Sequence, residues 1–143
     1  MKYAWACIFA LVWTVLSGCS DKSSLGGKVT FSDDGTPVTK GIITFTSDKL
    51  QSQGMIKPDG TYVVGTLKMD DGIPPGTYRV TVGGADDVVF AERPDGGGGT
   101  VRTEIRTPLI DAKYQSPDTS GLSLTVDGKT GKFDIKLDRA AKK

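Results

Sequence analysis

Gly76-Thr77-Tyr78-Arg79-Val80-Thr81-Val82 is the stretch whose pattern decides the fold. Its large apolar side chains, Tyr78, Val80 and Val82, alternate with polar ones. Successive side chains of a β-strand point to opposite faces of the sheet, so this alternation indicates a strand with one buried face. We therefore predict a half-buried strand here, entered from the turn signal Pro74-Pro75-Gly76.

The same alternation recurs at five other places, each next to a turn signal. The alternating apolar pairs and triplets are Val29/Phe31, Ile43/Phe45, Tyr62/Val64, Leu122/Leu124/Val126 and Phe133/Ile135/Leu137, and the turn signals include Asp33-Asp34-Gly35, Pro58-Asp59-Gly60 and Asp127-Gly128. Beyond residue 19 no window of helical length shows a 3.6-residue period. The sequence therefore predicts an all-β domain, an antiparallel β-sandwich of about seven strands.

The composition agrees with a protein of strands and turns. Of the 17 acidic residues 15 are Asp, and 19 residues are Gly; both types favour turns over helices. The chain has 143 residues, 37% apolar and 24% charged, which fits one folded domain. After Lys2 the basic and acidic residues balance, so no basic face for nucleic acid is expected.

The first 18 residues have the pattern of an export signal. Lys2 precedes an uncharged run of 14 residues, from Tyr3 to Leu16. As a helix, the run would be about 21 Å long at about 1.5 Å per residue, which is short of the roughly 30 Å hydrocarbon core of a bilayer. The length instead suits the apolar region of a signal peptide.

Leu16-Ser17-Gly18-Cys19 ends this run and resembles the lipobox of bacterial lipoproteins. The resemblance implies cleavage between Gly18 and Cys19, with a diacylglyceryl group on the Cys19 sulfur and a further acyl chain, such as palmitate, on its amino group. Two or three acyl chains anchor a protein stably, whereas one does so marginally. Two alternatives stay open: an ordinary secretory signal with an incidental cysteine, and an uncleaved membrane helix.

These patterns divide the chain into four segments. They are a signal peptide over 1–18, forming an N-terminal signal helix, a polar tether with lipidated Cys19 over 19–25, a β-sandwich domain over 26–138, and a polar tail over 139–143 that frays. The other cysteine, Cys7, would leave with the signal peptide. The expected location is the cell envelope, as a membrane-anchored lipoprotein facing the periplasm or the cell exterior.

Three motifs of the domain resemble a known family. Gly27-Lys28-Val29-Thr30-Phe31 with Gly35-Thr36-Pro37-Val38 and Gly41-Ile42-Ile43-Thr44-Phe45, then Asp59-Gly60-Thr61-Tyr62-Val63-Val64, and finally Pro75–Val82 are similar to carboxypeptidase regulatory-like, transthyretin-like domains. The tail Lys113–Leu122 is similar to lipoproteins of this kind that are common in planctomycetes. The resemblance covers roughly residues 26–137 and implies a transthyretin-like or immunoglobulin-like sandwich. Because its motifs are structural, it says little about function.

The residue inventory narrows the chemistry. The chain has no His, so Ser-His-Asp and Cys-His catalytic sets and His-liganded zinc sites are excluded, and we expect neither an enzyme nor a cofactor. The pairs Asp33/Asp34, Asp70/Asp71 and Asp86/Asp87 offer oxygen ligands for calcium, or alternatively stabilise turns. A Lys–Asp isopeptide crosslink assisted by Glu104 is a further, weaker alternative.

The least regular part of the domain is residues 85–106. We predict a mobile loop over residues 91–99, because the four glycines Gly96–Gly99 neither pack nor stiffen a chain. The run lacks the Lys-Ser/Thr of a phosphate-binding loop. Tyr114 is the one aromatic residue of the domain that no apolar pattern buries.

Two functions are compatible with these observations. The leading hypothesis is an exported, membrane-anchored lipoprotein whose β-sandwich is a non-catalytic structural or protein-interaction module, with another envelope protein as its partner. The alternative is a cell-envelope lipoprotein that binds a glycan or calcium through the Gly-rich loop 91–99.

Overall fold

The computed structural model describes residues 22–68 and 71–141. This part of the chain is all-β, and its one helical element is the short 3-10 helix Ala112–Gln115. Its strands are β1 (Gly26–Phe31), β2 (Ile42–Thr46), β3 (Gln51–Met55), β4 (Thr61–Gly65), β5 (Gly76–Gly83), β6 (Asp86–Pro94), β7 (Thr100–Pro108), β8 (Leu122–Val126) and β9 (Ile135–Leu137). The expected signal helix over 1–18 lies outside the described residues.

Seven strands form one curled sheet, in the order β8-β5-β2-β3-β4-β1-β9, which is consistent with the predicted β-sandwich. Six of the strands pair antiparallel along this order, as expected. The exception is β9, which pairs parallel with β1, so that Val29 lies opposite Ile135. Strands β6 and β7 pair only with each other and form a separate two-stranded sheet.

The core lies on the inner face of the curled sheet, where the alternating residues point. Val29, Ile43, Phe45, Val64, Val80 and Val82 are fully buried, as the alternation predicts. Phe45 sits at the centre: its ring centroid is 6.3 Å from that of Tyr62 and 6.4 Å from that of Phe133. These three aromatic residues come from distant segments, so their contact holds the curl of the sheet.

Two tyrosines combine an apolar body with a satisfied hydroxyl. Tyr62 and Tyr78 are each 1% exposed, and their hydroxyls donate to the backbone carbonyls of Phe133 and Pro74, respectively. Burial raises the pKa of both phenols above the ordinary value, since the charged form would be desolvated. The prediction that both rings lie in the core is therefore confirmed.

The turn between β3 and β4 requires glycine. Gly60 has a φ of +83°, a value that residues with a Cβ rarely adopt. A Cβ added there would also lie 2.7 Å from Cβ of Pro37 and 2.8 Å from the carbonyl oxygen of Val29. The same turn joins two parts of the fold, because the amide of Val29 donates to the carbonyl of Gly60 at 2.8 Å.

The fold begins before the predicted boundary at residue 26 and continues past the one at 138. Ser23 and Ile73 exchange two backbone hydrogen bonds of 2.9 Å, and Leu25 is fully buried. At the other end, the guanidinium of Arg139 lies 3.7 Å from the centroid of the Phe31 ring, and the amide of Ala140 donates to Leu109. Described residues beyond both bounds therefore contact the fold, Ser23 and Leu25 before residue 26 and Arg139 and Ala140 after residue 138.

Candidate functional site

The predicted lipid attachment site, Cys19, and its cleavage partner Gly18 lie outside the described residues. The residue that follows them into the fold is Ser23, four positions after Cys19. Four residues of extended chain span at most about 14 Å. Any group attached to Cys19 therefore stays within that reach of the Ser23–Ile73 bridge, at the end of the domain where β5 begins.

That end of the domain is held by an ion pair. The Lys22 ammonium lies 2.7 Å from the Asp71 carboxylate, which also accepts the backbone amides of Thr66 and Leu67. The hydrogen bond from Lys22, followed by that from the Thr66 amide, holds the pKa of Asp71 far below its usual range. The chain that follows the proposed anchor is thus tied to the fold by the charge of Lys22 and by the backbone of Ser23.

The most unusual surface of the domain is the two-stranded sheet of β6 and β7, here called the arm. All nine residues of β7 and eight of the nine of β6 are exposed. At about 3.4 Å per residue the arm is roughly 30 Å long. Its base is closed by the Leu109 amide, which donates to Ala85 at 2.9 Å, and by an ion pair of 2.7 Å between Lys40 and Asp87.

The register of the arm sorts its side chains into two faces. Val89 lies opposite Ile105, and Phe90 lies opposite Glu104. The apolar face therefore carries Asp87, Val89, Ala91, Arg93, Val101, Thr103, Ile105 and Thr107. The opposite, charged face carries Asp86, Val88, Phe90, Glu92, Arg102, Glu104 and Arg106. Both faces are open to solvent, and Val89 remains 60% exposed.

One arginine partly covers the aromatic ring on the charged face. The Arg102 guanidinium lies 4.2 Å from the centroid of the Phe90 ring, and Arg106 is ion-paired with Glu104. Such contacts at an exposed site are worth about 0.5–1 kcal/mol, so they orient the side chains without anchoring the arm to the domain. Because Glu104 is held in the exposed arm, the structure does not assemble the isopeptide site suggested by the sequence.

The predicted mobile loop over 91–99 is wrong in its extent. Ala91–Pro94 belong to β6, and only Asp95–Gly99 form the turn at the tip of the arm. The Asp95 carboxylate accepts the amides of Gly97 and Gly99, both at 2.8 Å, and these bonds lower its pKa. The glycines are therefore a turn closed by an aspartate. The missed signal was a β-branched segment on each side of the Gly run.

The acidic pairs face cations of the protein instead of each other. Arg139 donates from Nε to Asp33 and from a terminal nitrogen to Asp34, each at 2.8 Å. Hydrogen bonds from Thr36 and the charge of Arg139 lower the pKa of Asp34 to about 2. Asp87 pairs with Lys40 in the same way, while Asp70 lies outside the described residues. Within the described ranges no three His, Cys, Asp or Glu side chains form a metal-binding group.

Tyr114, which no pattern placed, is buried beside the last strand. It is 5% exposed, and its hydroxyl both donates to the Asp138 carboxylate at 3.1 Å and accepts the Asp138 amide at 3.2 Å. The hydrogen bond from Lys113, with those from Ser32 and Tyr114, lowers the pKa of Asp138 to about 2. This cluster fastens β9 to the 3-10 helix.

A shallow depression lies on the outer face of β2, β3 and β4. It has a volume of about 670 Å³ and is lined by Ile42, Gln53, Met55, Val63, Lys68 and neighbouring residues, none of them aromatic or acidic. Sugar rings usually stack on aromatic side chains, so this lining gives the glycan alternative no specific support. Neither described range contains a helix long and apolar enough to cross a membrane.

A scan of protein-family models, a search of curated proteins and a search of solved structures found no match to this chain.

Proposed function

We infer that the chain is an exported lipoprotein, anchored through Cys19, whose non-catalytic β-sandwich presents the arm for contact with protein. The observation that carries this inference is the arm, with its exposed apolar side chains and two unpaired strand edges. An edge strand and an exposed apolar patch are both features that soluble proteins normally avoid unless a partner uses them.

The anchor half of the inference is supported by the leader and by the start of the fold. The apolar run ends at Leu16-Ser17-Gly18-Cys19, and the fold is engaged from Ser23 onward. A lipid on Cys19 would therefore hold the domain within about 14 Å of the membrane surface. The protein would lie in the cell envelope, facing the periplasm or the exterior.

The arm half is supported by its position relative to the anchor. Ser23 pairs with Ile73, three residues before β5 begins, whereas the arm starts at Asp86, three residues after β5 ends. Strand β5 has eight residues and is about 27 Å long. The arm would therefore leave the domain at the end away from the membrane, where a partner has access.

Two further observations favour a binding role over catalysis. The chain has no His, and the acidic side chains with the most strongly lowered pKa, those of Asp34, Asp71 and Asp138, are each held by a cation and by hydrogen bonds. A general acid or base needs a pKa near the working pH, so these carboxylates do not suit that role.

We also propose that the domain belongs to the family that its sequence motifs resemble. The Asp59-Gly60-Thr61-Tyr62 motif forms a turn and a strand whose Tyr62 is buried, and Tyr78 is buried in the same way on β5. These placements support a carboxypeptidase regulatory-like, transthyretin-like domain.

The anchor is tested by two matched cysteine substitutions. We expect Cys19→Ser to release the protein from membranes or to leave an uncleaved precursor, while Cys7→Ser, in the apolar run, changes neither. Membrane fractionation and the intact mass of the purified protein are the readouts. A wild-type protein with an unacylated amino terminus would refute the anchor.

The contact role is tested by removing the arm. Residues 86–108 are replaced by a two-residue Gly-Gly turn between Ala85 and Leu109, which are already hydrogen-bonded. Crosslinking in intact envelopes should give the same protein complexes for the wild type and for an Asp118→Asn control, and should lose them for the armless variant. Complexes that persist without the arm would exclude it as the contact surface.

A further inference from the structure

We propose that the arm binds a second copy of this chain, by antiparallel pairing of the two β7 strands about Thr103. The proposal rests on the arm being a contact surface, as inferred above, and names its partner. A two-stranded ribbon is marginally stable by itself in water, whereas three or more strands with one apolar face are stable. Pairing two arms along β7 gives four strands, in the order β6-β7-β7-β6.

The sequence of β7 is symmetric about Thr103, with its charges inverted. Val101-Arg102-Thr103-Glu104-Ile105 reads apolar, positive, Thr, negative, apolar. A two-fold axis through Thr103 therefore places Arg102 opposite Glu104 of the second copy, and Val101 opposite Ile105 of the second copy. Each of these pairs occurs twice. Opposite charges and β-branched pairs directly across two strands each contribute roughly 0.2–1 kcal/mol.

The same symmetry keeps the two faces of the arm separate. Arg102 and Glu104 lie on the charged face, and Val101, Thr103 and Ile105 lie on the apolar face. Because side chains directly opposite each other point to the same side of a sheet, the ion pairs form on one side and the apolar pairs on the other. Ile105 and Val101, 49% and 46% exposed in the single chain, would each gain an apolar neighbour.

Other registers along β7 are disfavoured either by charge or by where they place the tip of the arm. An axis through Glu104 places the two copies of Glu104 face to face and brings Arg102 opposite Arg106. An axis through Arg102 places the two copies of Arg102 face to face. Like charges directly opposite are destabilising, so these two registers are disfavoured. An axis through Ile105 would pair Glu104 with Arg106 of the second copy, but it would place Gly98 opposite Ala112. Each tip would then extend past the base of the other arm, where Ile110 is buried in the core, and this leaves Thr103 as the centre.

The β6 edge gives a poorer pairing. An axis through Phe90 would place Val88 opposite Glu92, an apolar side chain against a charged one. An axis through Val89 would bring Asp86 opposite Glu92, two like charges. The β7 edge is therefore the one that fits a second copy.

The tip of the arm suits this arrangement. With the axis at Thr103, Gly98 lies opposite Pro108 of the second copy, so each tip meets the base of the other arm. The glycines of the tip carry no side chains to collide with the domain there, and the Asp95 carboxylate is turned inward to Gly97 and Gly99. The Gly run thus permits two arms to overlap along their whole length.

The pairing is tested by disulfide trapping of the full-length protein in its own membranes. In Thr103→Cys, the two sulfurs would start from Cβ atoms about 4.5–5.5 Å apart, close to disulfide geometry. The matched control is Thr107→Cys, on the same strand and face, whose two copies would lie about 27 Å apart. Under mild oxidant, we expect a dimer for Thr103→Cys that is several-fold more abundant than for Thr107→Cys or the wild type.

Charge reversal tests the register with two variants, so the result does not depend on whether a single substituted protein folds. On the Thr103→Cys background, Arg102→Glu places a carboxylate opposite Glu104 and should abolish the dimer. The double change Arg102→Glu with Glu104→Arg restores opposite charges across the axis and should restore it. A dimer that is insensitive to Arg102→Glu, or one that the double change does not restore, would overturn the proposed register.

The disulfide-trapping experiment has three other outcomes. Equal dimer from Thr103→Cys and Thr107→Cys, no dimer from either, or a crosslink of Thr103→Cys to a different protein would each overturn pairing with a second copy. Membrane partition is scored in the same cells. An anchored monomer therefore refutes the arm pairing alone, and a dimer in the soluble fraction refutes the anchor alone.

Discussion

The seven-stranded sheet and the arm are both made of β-strands that carry apolar side chains, yet one is packed and the other is not. Along β5, Tyr78, Val80 and Val82 are at most 1% exposed, whereas in the arm Val89 and Phe90 are 60% and 49% exposed. Apolar side chains on a strand are therefore buried only where another part of the fold covers them. Burial depends on whether the curled sheet supplies a second face, and the arm extends beyond it.

The largest predicted difference in stability between the two regions is between alanine substitutions of two phenylalanines. Phe45→Ala removes the centre of the aromatic cluster and leaves a cavity, so we expect a loss of about 3–5 kcal/mol in the free energy of unfolding. Phe90→Ala in the arm should cost no more than about 0.5 kcal/mol. Urea denaturation of both variants provides the measurement, and equal losses would show that the arm is packed in solution.

Alanine substitutions of two glycines should give a smaller difference in stability between the two regions. A Cβ on Gly27 would overlap the backbone carbonyl of Phe133, so Gly27→Ala must displace β1 and should cost about 2–3 kcal/mol. At Gly97, in the tip of the arm, a Cβ meets only the Asp95 carboxylate at 3.6 Å, and Gly97→Ala should change stability by about 0.5 kcal/mol or less. Thermal melts compare the two, and a stable Gly27→Ala protein would contradict the register of β1.

The buried hydroxyl of Tyr62 gives a smaller expected effect. Tyr62→Phe leaves the Phe133 carbonyl without its donor, and the expected loss is about 1–2 kcal/mol. The ring itself stays, so the aromatic cluster is unchanged. Chemical denaturation should show this loss with an unaltered slope, and a neutral substitution would mean that water reaches the Phe133 carbonyl.

The pH dependence of stability tests the role of Asp138, which directly follows β9. Hydrogen bonds from Lys113, Ser32 and Tyr114 lower the pKa of Asp138 to about 2 in the folded state, from an ordinary value of 3.8. Its contribution to stability is therefore complete above about pH 4 and is lost as the pH falls toward 2, because the unfolded chain binds the proton more readily. Melting temperatures measured from pH 7 to pH 2 should fall less steeply for Asp138→Asn than for the wild type. Equal slopes would remove Asp138 as a source of acid sensitivity.

The smallest effect is expected from removing the arm. Replacing residues 86–108 by a Gly-Gly turn should change the free energy of unfolding by about 0.5 kcal/mol or less, because the arm leaves the core residues untouched. Calorimetry of the armless variant in dilute, monomeric solution gives this value. A loss comparable to that of Phe45→Ala would erase the distinction between the two regions.

The strands that the sequence predicted are those whose apolar residues face the core. The missed strand β3, Gln51–Met55, turns Ser52 and Gly54 inward. Ser52 can face inward because its hydroxyl forms a hydrogen bond with that of Thr66. Position 54 holds glycine because an added Cβ would lie only 2.8 Å from the carbonyl oxygen of Val63. Neither cause is visible in a pattern of hydrophobicity.

The arm and the burial of Tyr114 were harder to predict from the sequence than the strands of the curled sheet. A mobile loop over residues 91–99 was predicted because of the four glycines Gly96–Gly99, and no buried face marks Ala91–Pro94 as the end of a strand. The burial of Tyr114 depends on Asp138, 24 residues away, and on a 3-10 helix too short to show a period. Cys19 and Gly18 remain predictions from the leader, outside the described residues.

The parallel pair of β1 and β9 has a consequence for how the fold is completed. Val29 and Ile135 are separated by 106 residues, so one flank of β1 stays open until the last segment arrives. Such long-range pairing slows folding and exposes an unpaired strand meanwhile. A chain truncated before Ile135 would lack this strand, and a growing polypeptide cannot complete the pairing of β1 until Leu137 has been synthesised.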